Sequence, residues 1–170
     1  MNIEIERKFL VTDGSYKAMA AESHRLTQGY ICKENGRTVR VRLWDNKGIL
    51  TIKGAGSASG MSRYEWEKEI SGEDARDLFL LCRSGIIDKT RYIVPVDGKI
   101  FEVDEFHGEN DGLVMAEIEL ASENENFTAP SWLGKEVTGD SRYYNSMLSV
   151  HPYSEWGNKA VNTSEPHQEE

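Results

Sequence analysis

The stretch Met1-Asn2-Ile3-Glu4-Ile5-Glu6-Arg7-Lys8-Phe9-Leu10-Val11 alternates charged with apolar side chains. Successive side chains of a β-strand point to opposite faces, so Glu4, Glu6 and Lys8 form one row and Ile3, Ile5 and Phe9 the other. Arg7 falls on the apolar side and is expected to be structural. Two carboxylates and a lysine in a row can hold a hard divalent cation beside an anionic ligand. A solvated edge would explain one such row equally well. The pattern recurs, and its recurrence decides the fold.

Arg40 and Arg42 alternate with Val39, Val41 and Leu43, and Thr51 and Lys53 with Leu50 and Ile52. Glu65 and Glu67 alternate with Tyr64 and Trp66, and Lys89 and Arg91 with Thr90 and Tyr92. Glu102 and Asp104 flank Val103, and Glu117 and Glu119 flank Ile118. Exposed faces normally intersperse both signs. Here the polar faces are segregated, some acidic and some basic. Facing one another around a closed lumen, they would satisfy the rule that a buried charge must be paired or metal-bound.

Strand patterns cover 2–11, 25–33, 37–45, 48–54, 62–70, 87–96, 99–106 and 113–121. Turn residues separate several of them, at Glu34-Asn35-Gly36, Asp45-Asn46-Lys47-Gly48 and Asp97-Gly98. Consecutive hairpins of this kind predict an α+β chain that is mainly antiparallel β. The expected architecture is an eight-stranded barrel tunnel with a charged lumen and a few helices covering its apolar outside. Ser71 is the expected N-cap of a helix carrying Ala75, Leu78, Phe79 and Cys82. Residues 13–22 and 140–150 read as two more helices. One domain is expected over 1–153, followed by a polar tail over 154–170.

The chain has 170 residues, 38% hydrophobic and 29% charged, with a net charge of −9. Such a balance argues against generic DNA or membrane binding, which a basic face would drive. No apolar run opens the chain or approaches the ~20 residues of a membrane span, so a cytoplasmic setting is expected. Cys32 and Cys82 read as buried thiols. Two glycosylation patterns, at Asn126 and Asn162, carry no weight without a secretion signal.

The ordered set of rows resembles the CYTH superfamily of triphosphate tunnel metalloenzymes, in its short bacterial branch. Glu4-Ile5-Glu6-Arg7-Lys8 fits the family's ExExK signature. Gln28-Gly29-Tyr30, Arg40-Val41-Arg42, Lys53, Arg63-Tyr64-Glu65-Trp66-Glu67, Lys89-Thr90-Arg91-Tyr92, Phe101-Glu102-Val103-Asp104 and Glu117-Ile118-Glu119 follow in order. Trp132-Leu133-Gly134-Lys135-Glu136-Val137 and Arg142-Tyr143-Tyr144-Asn145 complete the match. The resemblance implies an eight-stranded tunnel and metal-dependent hydrolysis of a triphosphate, above all inorganic tripolyphosphate. Thiamine triphosphate hydrolysis and class IV-type adenylate cyclase activity are the alternatives within enzymes. A polyphosphate or nucleotide sensor is the alternative outside them.

The expected metal ligands are Glu4, Glu6 and Glu119, with Glu117 beside them, and oxygen donors suit Mg²⁺ or Mn²⁺. Arg40, Arg42, Lys53, Lys89 and Arg91 are the expected triphosphate clamp, with Arg142 as a further candidate. Lys8, adjacent to both metal ligands, is expected to contact phosphate or to position the attacked group. Glu65 and Glu67 are placed with the catalytic group, and Glu102 and Asp104 as supporting lumen acids. Tyr30, in the family's Gln-Gly-Tyr pattern, is expected to orient or gate, because a phenol of pKa near ~10 is a poor base at neutral pH. Arg63, at a strand end, is expected to pair with an acid.

The expected reaction is in-line attack of water on a terminal phosphorus, dominated by positioning and charge stabilisation. Gly54-Ala55-Gly56-Ser57-Ala58-Ser59-Gly60 lacks the Lys-Ser/Thr ending of a P-loop and reads as a hairpin loop with room to cover a tunnel mouth. His24, His107, His151 and His167 are scattered, so no zinc site is expected. The partner is a small polyanion, and the sequence leaves monomer and homodimer open.

Overall fold

The computed structural model describes residues 2–157. Its strands are β1 (Ile3–Val11), β2 (Glu22–Glu34), β3 (Arg37–Trp44), β4 (Lys47–Lys53) and β5 (Ser62–Ser71). β6 (Ile87–Val96), β7 (Lys99–Phe106), β8 (Val114–Glu119) and β9 (Leu133–Glu136) follow. The helices are α1 (Tyr16–Met19), α2 (Gly72–Phe79) and α3 (Asn145–Leu148). Antiparallel pairing runs β5-β4-β3-β2-β6-β7-β8-β1, and β1 returns to β5 through Ile3↔Tyr64, Glu4↔Arg63 and Ile5↔Ser62. Eight strands therefore close a barrel, as expected. Beyond this seam β9 continues on the same edge of β1, pairing Phe9 with Glu136 and Val11 with Leu133. The sequence pattern missed β9, because it is four residues long and contains Gly134. A side chain at Gly134 would stand 3.0 Å from the Leu10 carbonyl, so the close approach to β1 favours glycine.

Asn35-Gly36 and Asp97-Gly98 make the tight hairpins, with φ of 50° and 77° in the first and 46° and 76° in the second. Two successive left-handed residues match the right-handed twist of the flanking strands. Ser71 caps α2 by accepting from the Asp74 amide at 3.0 Å, and buried Ala75 packs where β4 carries Gly48.

The outward faces supply the core. Phe9, Val11, Phe101, Val103, Ala116 and Ile118 pack beneath Tyr16 of α1 and Trp132 of the β8–β9 connection. Trp132 is fully buried and meets the rings of Phe101 at 5.4 Å and Tyr16 at 5.9 Å. Covering is incomplete elsewhere. Ile52 and Trp66, paired across β4 and β5, remain 41% and 38% exposed. At one end of the lumen the charged columns turn apolar. Leu10, Ile87, Phe106 and Met115 pack there with Leu113, Tyr143, Leu148 and Tyr153.

Other expectations need revision. The helix expected over 13–22 is confined to Tyr16–Met19, because β2 begins at Glu22. That over 140–150 is split into a 3-10 turn, Ser141–Tyr143, and α3, with Tyr144 extended between them at φ −67° and ψ 134°. The tail begins later than Ser154, because Trp156 packs on Tyr143 at 5.2 Å and Tyr153 at 5.1 Å. Residues 158–170, with Asn162 and His167, lie outside the described part. Cys32 is exposed rather than buried, and both cysteines are free. Among the described residues, no helix is long and apolar enough to cross a membrane.

If Trp132 locks the β8–β9 connection onto the barrel, Trp132→Ala lowers unfolding free energy by about 3–5 kcal/mol in denaturant titration.

Candidate active site

Strand alternation turns the charged rows inward around a cavity of about 830 Å³. β1 contributes Glu4, Glu6 and Lys8; β3 contributes Arg40 and Arg42; β4 contributes Lys53. Glu65 and Glu67 enter from β5, Lys89 and Arg91 from β6, Glu102 from β7, and Glu117 and Glu119 from β8. Tyr30 of β2 lines the same wall. Asp104 lies behind this surface, 2% exposed, under Lys89 and Arg91.

Arg142 is the exception. Its side chain is 60% exposed, binds Asp140 at 2.7 Å and lies over the rings of Tyr143 and Trp156. The extended backbone at Tyr144 sends Tyr144 and Asn145 to the lumen and leaves Arg142 outside. Arg142 therefore does not join the clamp. Arg7 is on the outer face, as expected, held by Glu136 through Nε at 2.8 Å.

The basic floor is a connected network. Asp104 accepts from Lys89 Nζ at 2.7 Å and from Arg91 Nε and Nη2 at 2.8 and 2.9 Å. Although burial opposes ionisation, Arg91 and Lys89 hold the Asp104 carboxyl far below the usual carboxylate range. Burial brings Lys89 down to about 7, against the pull of Asp104 and with help from Arg91 and Arg42. Burial and the neighbouring Arg40 and Arg91 bring Arg42 down to about 9. Among the described residues Arg42 has no carboxylate partner; its Nε donates to Gln28 Oε1 at 3.0 Å. Gln28 in turn donates to Tyr30 Oη at 3.1 Å and to Asn145 Oδ1 at 3.2 Å, and Asn145 Oδ1 accepts from Lys89 at 2.9 Å. Sequence reasoning quoted Gln28 and Asn145 in motifs but gave them no role. A neutral amide has no charge pattern to mark it.

The acidic side is crowded. Glu6 stands opposite Glu119 across β1 and β8, and Glu117 opposite Glu102 across β7 and β8. Burial and the nearby Glu117 push Glu6 up to about 8. Burial and the adjoining Glu4 push Glu65 up to about 8, and burial with Glu4 and Glu102 raises Glu119. Glu117 goes the other way, to about 2, since Lys8 and Arg91 outweigh its burial. Glu4 is bound by Lys53 at 2.7 Å, and Glu117 lies 3.5 Å from Lys8. Among the described residues no three potential ligands converge on one point. The donor chemistry still fits a hard divalent cation. The donors are all oxygens, and they exceed what the local cations neutralise.

Glu67 is tied into the wall through Thr51, whose hydroxyl donates to it at 2.8 Å and accepts from Arg40 Nη2 at 3.0 Å. Among the described residues Arg63 pairs with no acid, contrary to expectation; its Nη2 donates to the Gly36 carbonyl at 3.3 Å.

Asp104→Asn leaves Lys89 and Arg91 buried without their shared carboxylate, and about 3–5 kcal/mol of stability is lost at neutral pH. Because the native carboxyl lies below its ordinary value, its stabilisation is complete above about pH 5 and fades as pH falls. Denaturant unfolding across pH should show the deficit of the variant narrowing in acid.

Residues 2–151 match the CYTH domain. The chain is 47% identical over 154 residues to the inorganic triphosphatase of Acetivibrio thermocellus, covering 90% of this chain and 97% of that one. It is 36% identical over 154 residues to the inorganic triphosphatase of Nitrosomonas europaea, covering 86% and 97%. The solved structure of the inorganic triphosphatase NE1496 superposes with a TM-score of 0.61 at 32% identity, over 88% of this chain and 96% of that one. With its closed antiparallel barrel and inward rows of segregated charge, the chain belongs to the CYTH domain family.

Proposed function

We propose that this protein is a metal-dependent triphosphatase whose substrate is inorganic tripolyphosphate. The observation that carries the reading is the split lumen. One wall holds cations in excess: among the described residues Arg42 has no carboxylate partner and the buried Arg40 Nε no hydrogen-bond partner. The facing wall holds carboxylates in excess, at Glu6, Glu65 and Glu119. A linear polyanion carrying a divalent cation completes both walls. The names of the similar bacterial proteins support the same reading.

Glu4, Glu6 and Glu119, with Glu117, would hold Mg²⁺ or Mn²⁺. When bound, the ion supplies neutralising charge to phosphate oxygens. Arg40, Arg42, Lys53, Lys89 and Arg91 bind the chain of phosphates and keep the scissile phosphorus in line with attacking water. Lys8, between Glu117 and the ring of Tyr144, places a further charge beside the acidic row. Glu65 and Glu67 border the cavity where a water proton can be accepted. Asp104 and Glu102 hold the basic side chains in place, and Tyr30 orients Gln28. Attack breaks one phosphoanhydride bond and yields orthophosphate and pyrophosphate. We take the cytoplasm as the setting, since a free, exposed Cys32 suits a reducing compartment.

Phosphate release from tripolyphosphate is expected with Mg²⁺ or Mn²⁺ and is abolished by EDTA. Preferential release from thiamine triphosphate, or cyclic AMP formed from ATP, would overturn the assignment. Glu6→Gln is expected to lower kcat by roughly 100-fold or more. Its melting temperature should hold, because the amide replaces a buried carboxyl that burial and Glu117 already keep largely uncharged at neutral pH. Full turnover in that variant would remove Glu6 from the metal site.

A further inference from the structure

Among the described residues, two buried side-chain polar atoms have no hydrogen-bond partner, and both are guanidinium Nε atoms, on Arg40 and Arg63. Both arginines line the same lumen. An unmet buried N–H is costly, so two of one chemical kind, on side chains that line one cavity, point to an acceptor that belongs there. Arg40 is already in the clamp. Arg63 is not.

The surroundings of Arg63 explain why its charge is uncommitted. Its partner across the barrel seam is Glu4, whose carboxylate is taken by Lys53 at 2.7 Å. Lys8, Arg40, Lys53, Lys89 and Arg91 each have a carboxylate within 4.0 Å. Arg63 has none among the described residues; it meets the Gly36 carbonyl and the ring of Tyr144, 6.0 Å from the guanidinium carbon. It also sits one alternation step beyond Glu65 and Lys53, toward the mouth bordered by the β2–β3 turn and the 54–61 loop. The basic wall therefore runs from Arg42 through Arg40 and Lys53 to the Arg63 guanidinium at this mouth, which has no carboxylate partner among the described residues.

We propose that Arg63 binds the terminal phosphate nearest this mouth and thereby selects an inorganic triphosphate over a nucleoside triphosphate. The inference rests on the triphosphatase reading of the lumen. A terminal phosphate offers two ionisable oxygens and no substituent, which suits the guanidinium fork. An α-phosphate at the same place offers one ionised oxygen and carries an ester group. Arg63 is thus a specificity-determining residue, engaged by the end of the chain rather than by the phosphorus under attack.

The test is calorimetric binding of tripolyphosphate and of ATP in EDTA, so that turnover plays no part, by wild type, Arg63→Ala and Arg63→Lys. Arg63→Ala is expected to weaken tripolyphosphate binding roughly ten- to a hundredfold, the loss of one charge-assisted contact. ATP binding should change by less than about threefold, and Arg63→Lys should recover part of the loss. With Mg²⁺, the defect toward tripolyphosphate should fall on KM more than on kcat. Unchanged melting temperatures exclude a folding defect; were the alanine variant unfolded, the lysine variant's ratio of the two affinities would decide. Tripolyphosphate affinity equal to wild type, or equal losses for both ligands, would overturn the assignment, as would a wild type that does not bind tripolyphosphate. A wild type that binds tripolyphosphate in EDTA but releases no phosphate with Mg²⁺ would defeat the triphosphatase reading alone, and the affinity ratio would still judge Arg63.

Discussion

Asp104, shared by Lys89 and Arg91 beneath the lumen surface, meets the constraint on which the interior depends. Charges removed from water must find opposite charges or ligands. A barrel lined with apolar side chains would carry no such obligation. This one is lined with ionisable groups, so each row must be matched by its neighbours around the ring. The matching is local and visible: Lys8 with Glu117, Arg40 with Glu67, Lys53 with Glu4 and Glu65, and Arg91 with Glu102 and Asp104.

Such a lumen supplies little hydrophobic stabilisation, so the core lies elsewhere. The outward faces of β1, β7 and β8 bury Phe9, Val11, Phe101, Val103 and Ile118 under α1 and the Trp132 segment. A second cluster plugs one end of the lumen through the segment after β9. That plug does more than seal. It delivers Asn145 to Lys89 and Gln28 and sets Tyr144 between Lys8 and Arg63. Packing and site chemistry are thus joined in one short stretch, where the break at Tyr144 separates the residues facing in from Arg142 facing out.

The barrel and most of its charged lining were legible in the sequence because period-2 alternation of charge with aliphatic side chains survives any detail of packing. Glu4, Glu6, Arg40, Arg42, Glu117 and Glu119 announce their face by spacing alone. The rest was hidden for particular reasons. β9 is too short to show a period, and Gly134 interrupts it. Arg142 shares a motif with Asn145, but a single backbone break in between reverses their directions, and spacing within a motif does not reveal such a break. The amides of Gln28 and Asn145 gain meaning only from the cations they touch. Arg63 sits in register with Glu4, which suggests an ion pair. Competition from Lys53 prevents it, and competition among three side chains is not written in two strands.

The seam that closes the barrel has a consequence for how the chain is made. β1 is synthesised first, yet two of its partners, β8 and β9, are Val114–Glu119 and Leu133–Glu136. Such long sequence separations slow folding, because loop closure must precede the contacts that reward it. During translation the edge of β1 that meets β8 waits unsatisfied until more than a hundred residues have followed it. Its charged side chains suit that interval, since charges on an open edge, lysine above all, discourage pairing with other strands. The row that opens the chain thus shields the nascent protein before it lines a finished lumen.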